Sequence, residues 1–278
     1  MITYDAHVHT SFSTDSETPM EHMVRQGIQN GLEGITFTDH MDYHFPLTYS
    51  NWKSEDGLPP FTFDVERYLA CLSELKEKYC GKIELFRGVE IGLKEDAWKE
   101  NLELSRNPSF DYVIGSIHLV DDMDPYYPEY WEAWDEKKGL LRYFETTYEN
   151  VRSLGELHID TLGHLDYIVR YSPSGYELYS YRLFSDIIDE ILKLLIEKEI
   201  SLEINTSGYK NGGPMPNPGE EVLHRYKELG GERITFGSDA HTPELLSGRF
   251  ADAEKIAKNT GFRRYTTFVE RKPVFHTF

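Results

Sequence analysis

Two histidines, His7 and His9, stand one residue apart at the end of the first apolar run, and Asp15 closes the same stretch, YDAHVHTSFSTDS. Imidazole and carboxylate are the side chains that offer nitrogen and oxygen donors to divalent cations. Residues two apart in an extended strand share a face, so both imidazoles point to one side. Asp239-Ala240-His241 repeats that spacing near the other end of the chain. In between, His40, Glu90, His118 and His164 each close an apolar run and have no local partner, while Asn205 closes another. A lone histidine is more often a hydrogen-bonded core or loop residue than a ligand. Six histidines and three acids form a costly set of buried polar groups unless cations pair them.

The elements that must position these residues follow from periodicity. Seven β-rich runs, ITYDAHVHT, GITFTDH, IELFRGVEIG, YVIGSIH, IDTLGHLD, SLEINTS and RITFGSDAH, alternate with helical stretches. This is the pattern of βα units around a parallel sheet. Helices are predicted over 19–30, 65–79, 141–154, 182–198, 220–229 and 251–260, with a weaker signal over 94–107. Thr18 reads as the N-cap of the first, with Pro19 at its first helical position. Leu183, Ile187, Ile188, Ile191, Leu192 and Leu195 give one helix an apolar face for the sheet. In a parallel βα barrel the carboxyl ends of the strands converge on one face, so the polar strand ends must meet there.

Composition narrows the function. The 278 residues are read as one domain, and a net charge of −19 without a dense basic patch argues against nucleic acid and anionic membranes as partners. A small molecule is the expected partner; the oligomeric state is not encoded in any visible pattern. Cys71 and Cys80 lie in a helical stretch, and no basic-then-apolar leader opens the chain. A reduced, cytoplasmic setting without a disulfide is therefore expected. No apolar run approaches the roughly 20 residues needed to span a bilayer.

Three long connections, 42–64, 120–138 and 206–219, are rich in Pro, Gly and aromatics, as binding loops or lids are. His44 sits in the first of them beside His40, as a candidate substrate contact. Arg170 and Arg249 are candidates for a phosphate group, since guanidinium matches its oxygens in a fork. Lys210, Asn205 and Tyr209 lie near the same strand ends. Tyr43, Phe45, Trp52, Tyr126, Tyr127 and Trp131 lie in the same connections. His22, His158, His224 and His276 need no more than surface or capping roles.

The ordered set HVHT, TDH, GSIH and GSDAH, with GVEIG between, resembles the polymerase and histidinol phosphatase (PHP) superfamily, and within it the stand-alone histidinol-phosphate phosphatases. The similarity runs from residue 2 to about residue 250. It implies a distorted (β/α)7 barrel with three divalent metal ions at the C-terminal ends of the strands. Carried over by position, His7, His9, Glu90 and Asp239 match the ligands of one ion. Glu90 bridges to a second held by His118 and His164, and Asp15, His40 and His241 match the third. Many members carry His where this chain has Asp15, a harder ligand that suits zinc, manganese or iron.

The reaction so implied is hydrolysis of L-histidinol phosphate to L-histidinol and phosphate, a step of histidine biosynthesis, by a metal-bound hydroxide attacking phosphorus. Three divalent ions against the carboxylates of Asp15, Glu90 and Asp239 leave a pocket near +3 by formal charge, suited to a phosphomonoester dianion. Asp239, His241 and His40 are the candidates for proton transfer to the leaving alkoxide. Two other readings stand beside it: a phosphoesterase acting on nucleotides or phosphotyrosine, and a non-catalytic metal-binding module.

Overall fold

A computed structural model describes residues 1–47 and 57–278, so Trp52 lies outside the described residues. The seven β-rich runs become the staves of a parallel, nearly closed barrel. They are β1 (Tyr4–Val8), β2 (Gly34–Phe37) with β3 (His40–Met41), β4 (Glu84–Gly92), β5 (Tyr112–Ser116), β6 (Thr161–Leu162), β7 (Ser201–Asn205) and β8 (Ile234–Gly237). β2 and β3 pair in turn with the first and second halves of β4, Gly34 opposite Glu84 and His40 opposite Glu90. They are one interrupted stave. At the break, Tyr68 donates its hydroxyl to the carbonyls of both Phe37 and Gly88 at 2.9 Å. The sheet runs β1-β2-β4-β5-β6-β7-β8. It returns on itself through the Val8–Ala240 bridge, with the Asp239 N–H donating to the His7 carbonyl at 2.8 Å.

Among the described residues eight α-helices cover the staves: α1 (Met20–Asn30), α2 (Val65–Lys78), α3 (Trp98–Ser105), α4 (Pro128–Ala133), α5 (Glu136–Arg152), α6 (Ser185–Glu197), α7 (Glu220–Glu228) and α8 (Phe250–Thr260). Their starts correct the sequence reading in four places. Pro19 is itself the N-cap of α1, with ψ 137°, and makes no side-chain capping bond. Asp135 accepts from the Lys138 N–H and so begins α5 earlier than apolar spacing suggests. Leu183 belongs to a short 3-10 turn before α6 and is 51% exposed, whereas Ile188, Ile191, Leu192 and Leu195 are buried against the sheet. The short helix α4 lies inside the connection read as a loop. Burying those four α6 side chains contributes on the order of 6–12 kcal/mol, enough to dock the helix whatever its propensity. Among the described residues no helix is long and apolar enough to cross a membrane.

An antiparallel hairpin, β9 (Arg264–Val269) and β10 (Lys272–Thr277), lies at the end of the barrel away from the strand carboxyl ends and was not legible in the sequence. Its two-residue turn holds Glu270 and Arg271, both at positive φ (48° and 64°), where Asn-Gly is the usual choice. Interactions with the barrel hold the turn in place. Asp111 accepts from the Glu270 N–H through its carboxylate and from the Arg271 N–H through its carbonyl. The Arg271 guanidinium donates to Asp160 Oδ2 at 2.6 Å and to the carbonyls of Ser105 and His158, each at 2.7 Å. Arg271→Ala should therefore destabilise the fold by about 2–4 kcal/mol, because it removes the cation from the half-buried Asp160 carboxylate and the donor from two backbone carbonyls. Denaturant unfolding checks this, and the variant's metal binding should match that of the parent.

Candidate metal centre and substrate cavity

The carboxyl ends of six staves bring nine donors together. His7 Nε2 and His9 Nε2 are 3.0 Å apart, as the one-residue gap requires of two rings on one side of a strand. Glu90 on β4 lies between them and the far wall. Its Oε2 is 2.9 Å from His40 Nδ1, 3.3 Å from His7 Nε2 and 3.5 Å from His9 Nε2. Its Oε1 is 2.9 Å from His164 Nε2 and 3.4 Å from His118 Nε2. Asp239 Oδ1 is 3.3 Å from His9 Nε2, while Asp15 Oδ2 is 3.1 Å from His241 Nε2 and 3.7 Å from His40 Nε2.

These spacings fit cations better than they fit hydrogen bonds. Donors about 2.0–2.2 Å from a common ion lie roughly 3–3.5 Å from one another, the range found here. His40 Nδ1 and Glu90 Oε2 are 2.9 Å apart, yet neither makes a hydrogen bond; Asp15 Oδ1, Asp42 Oδ2 and His164 Nδ1 are likewise buried without partners. Four groups of three donors each converge within 4.8 Å: His7, His9 and Asp239; His7, Glu90 and His164; His40, Glu90 and His118; and His9, His40 and His241. The cluster is capable of holding divalent metal.

Four imidazoles are oriented by bonds from their other nitrogen. His7 Nδ1 faces Glu203 Oε1 at 2.6 Å, His9 Nδ1 faces Ser13 Oγ at 3.0 Å, His118 Nδ1 faces Asp42 Oδ1 at 2.7 Å, and His241 Nδ1 faces the Asp239 carbonyl at 3.0 Å. Donation from Nδ1 leaves each Nε2 lone pair aimed inward, the arrangement that raises ligand basicity at metal sites. Glu203 also accepts from the His164 N–H at 2.7 Å and from Asn205 Nδ2 at 3.1 Å. A side chain at Gly237 would collide with both His7 and Glu203, and one at Gly92 with Asp42, so glycine makes room for these bonds. Asp39 holds the loop beyond β1, accepting from the N–H and hydroxyl groups of both Thr10 and Ser13.

The electrostatics show how strongly the cluster attracts positive charge. Burial disfavours charge on every member, but Glu203 and Glu90 raise the His7 pKa well above its ordinary value, as Asp15 and Glu90 do for His40. Burial together with the neighbouring His40 and His241 drives His9 the other way. Glu90 titrates well below the carboxylate range despite complete burial, because His7, His118 and His40 surround it.

A cavity of about 290 Å³ opens above the cluster, lined on the ligand side by Asp15, His40, His118, His164, Asp239 and His241. Arg170 and Lys210 line it as well. The Arg170 guanidinium lies over Tyr171 and Tyr167, at 5.1 and 5.7 Å from the ring centres, and its Nε is buried without a partner. Lys210 donates from Nζ to the Asp239 carbonyl at 2.7 Å. The structure does not bring the other expected contacts there. Arg249 sits at positive φ, exposed, stacked over Tyr209 at 4.3 Å and paired with Asp252, and neither Arg249 nor Tyr209 lines the cavity. His44 is turned outward to Asp96 and Glu100, and Asn205 is buried beneath the site as a support for Glu203. Sequence reasoning missed Asp42 and Glu203. Asp42 carries the same two-residue spacing from His40 that marks His7 and His9, and Glu203 is a charge set inside a short apolar strand run.

Comparison with known proteins identifies the family. The PHP domain family matches residues 5–207, and the chain belongs to that family. It is 35% identical to the probable histidinol-phosphatase of Clostridium acetobutylicum, over 94% of each chain, and 29% identical to the histidinol-phosphatase of Lactococcus lactis, over 95% of this chain and 93% of that one. The crystal structure of the Lactococcus lactis histidinol phosphate phosphatase, complexed with zinc, L-histidinol and phosphate, matches with a TM-score of 0.85 over 98% of both chains at 29% identity.

Glu203→Gln keeps the shape of its strand but removes the charge behind His7, so metal affinity should fall about 10- to 100-fold with the fold intact. A chelator competition titration measures this. The raised pKa of His7 and His40 means that metal must displace protons, so affinity in the parent should also weaken as pH falls from 8 to about 6.

Proposed function

We infer, taking membership of the PHP domain family as the premise, that the chain is a metal-dependent histidinol-phosphatase, hydrolysing L-histidinol phosphate to L-histidinol and phosphate in histidine biosynthesis. The observation that carries this is a cavity beside a cluster capable of holding cations, with a half-buried Arg170 on its wall whose Nε has no hydrogen-bond partner. Three divalent ions, drawn from zinc, manganese and iron, would be held by His7, His9, Glu90 and Asp239, by Glu90, His118 and His164, and by Asp15, His40 and His241. When bound, they supply positive charge to the phosphoryl oxygens and lower the pKa of the water that is the nucleophile.

The remaining work falls to side chains. Arg170 holds the non-bridging oxygens in its fork, its plane fixed by the rings of Tyr167 and Tyr171. Lys210 braces Asp239, whose backbone sits at positive φ (52°), and adds a second cation on the cavity wall. As water joins phosphorus and the ester oxygen departs, one of Asp239, His241 and His40, all of which face the cavity, passes on to the departing alkoxide the proton that the water gives up. The chain is read as one domain, since β8 and its ligands complete the same barrel that β1 begins. Free thiols at Cys71 and Cys80 suit a cytoplasmic setting.

Turnover of a phosphomonoester panel by the metal-loaded protein tests the reading. L-histidinol phosphate should give the highest kcat/KM, and a preference of about a hundredfold for nucleotides or phosphotyrosine would overturn it. Arg170→Met should lower kcat/KM by about 10²- to 10³-fold while metal stoichiometry stays unchanged. Equal loss of bound metal would instead assign Arg170 a structural role.

A further inference from the structure

The cavity that holds Arg170 and Lys210 beside the metal cluster is also lined by the half-buried carboxylate of Asp124 together with Tyr126 and Tyr127. Asp124 Oδ1 accepts the Tyr126 N–H at 2.8 Å, which fixes the direction of the carboxylate. Among the described residues no Lys or Arg forms an ion pair with it: burial pushes it up to about 6, and the charges that act on it most are the His118 ring and the carboxylates of Asp42 and Asp15.

The segment that presents Asp124 is held in place before any ligand arrives. Val120 and Met123 exchange backbone hydrogen bonds at 2.8 and 2.9 Å around a turn in which Asp121 and Asp122 both adopt positive φ. Arg142 from α5 grips Asp121 through two nitrogens at 2.9 and 2.8 Å. Lys94 reaches Asp122 at 2.7 Å and also donates to the His44 carbonyl, linking the turn to the facing loop. A rigidly presented carboxylate without a basic partner, beside tyrosine faces, is a receptor for an organic cation.

We propose that Asp124, with the face of Tyr126, determines specificity by receiving the cationic group of a phosphomonoester whose phosphate lies beside the metal cluster. This rests on the phosphatase reading above and adds the residue that selects among phosphomonoesters. Ammonium and imidazolium share the required chemistry, and both occur on histidinol phosphate. A phosphotyrosyl peptide or a nucleotide brings further negative charge to the cavity and is disfavoured by the same carboxylate.

The experiment compares the metal-loaded full-length protein with its Asp124→Asn and Asp124→Glu variants on three substrates. These are L-histidinol phosphate, the amino-alcohol ester phosphoethanolamine, which has an ammonium but no imidazole, and phenyl phosphate, which has no cation. Asp124→Asn should lower kcat/KM for L-histidinol phosphate about 20- to 100-fold, mostly through KM, and leave phenyl phosphate within about twofold. Asp124→Glu should recover part of the loss. A parallel loss on phosphoethanolamine identifies the ammonium as the bound cation, and a loss confined to L-histidinol phosphate identifies the imidazolium. Equal losses on L-histidinol phosphate and phenyl phosphate, or no loss on either, overturn the proposal. If the parent itself turns over phenyl phosphate as well as L-histidinol phosphate, the phosphatase reading loses its named substrate before any variant is measured.

Discussion

The upper face of this barrel is organised around one carboxylate in the wrong dielectric. Glu90 is completely buried, and its two oxygens lie within 3.5 Å of nitrogens from His7, His9, His40, His118 and His164. An ionised carboxylate removed from water costs several kcal/mol even after relaxation, so the group is tolerable only among compensating charges and donors. Ser116 supplies one hydroxyl, at 2.6 Å, and imidazoles the rest. Those imidazoles come from the first, second, fourth and fifth β-rich runs of the chain, and they meet only if the sheet curls enough to bring β1 round to β8. Ring closure and the cluster are therefore one constraint. The Asp239 N–H bond to the His7 carbonyl belongs to both.

The strand ends were legible because an imidazole or carboxylate that terminates an apolar run adds little to packing, and six such endings in a βα pattern can converge on one face only. What escaped was the layer behind them. Glu203 lies inside SLEIN, where a mid-strand carboxylate looks like an edge charge until ring closure brings His7 Nδ1 to 2.6 Å from it across Gly237 of the intervening β8. Asp42 was hidden for a different reason: the break between β2 and β3 resets the alternation, and its partner His118 lies 76 residues away. Arg249 failed as a phosphate contact because nearness to a strand end along the chain does not fix direction. Its positive φ, just ahead of α8, turns the guanidinium out over Tyr209. The terminal hairpin was invisible because its turn holds Glu-Arg, and the bonds that make that turn tolerable come from Asp111, Ser105, His158 and Asp160, far away in sequence.

The supporting carboxylates change the charge balance of the site. On the ligand assignment proposed above, Asp42 and Glu203 add two negative charges to the carboxylates of Asp15, Glu90 and Asp239, which would lower the charge left by three divalent ions from about +3 to about +1. On the cavity wall Arg170 and Lys210 add two positive charges and Asp124 one negative, which brings it to about +2. Glu203 sits behind His7 and strengthens it as a ligand, whereas Asp42 supports His118 from the cavity wall that also carries Arg170 and Lys210. The two cations keep a strongly anionic protein attractive to a phosphate at this one point.

Strain is divided between the ends of the barrel in a way that follows from the same arrangement. At the upper face Asp239 occupies a left-handed conformation that costs a non-glycine residue on the order of 1–3 kcal/mol. The compensation is local and polar: its N–H bonds the His7 carbonyl, and its own carbonyl accepts from Lys210. The lower end carries its strain at Glu270 and Arg271, but there the compensation comes from a half-buried ion pair and several backbone bonds that hold the hairpin to the barrel wall. The bonds that fix the ligand geometry are thus separate from those that secure the hairpin. Substitutions at the lower end should act on stability, and substitutions at the upper face on cation and ligand binding, because these two sets of bonds have no residue in common.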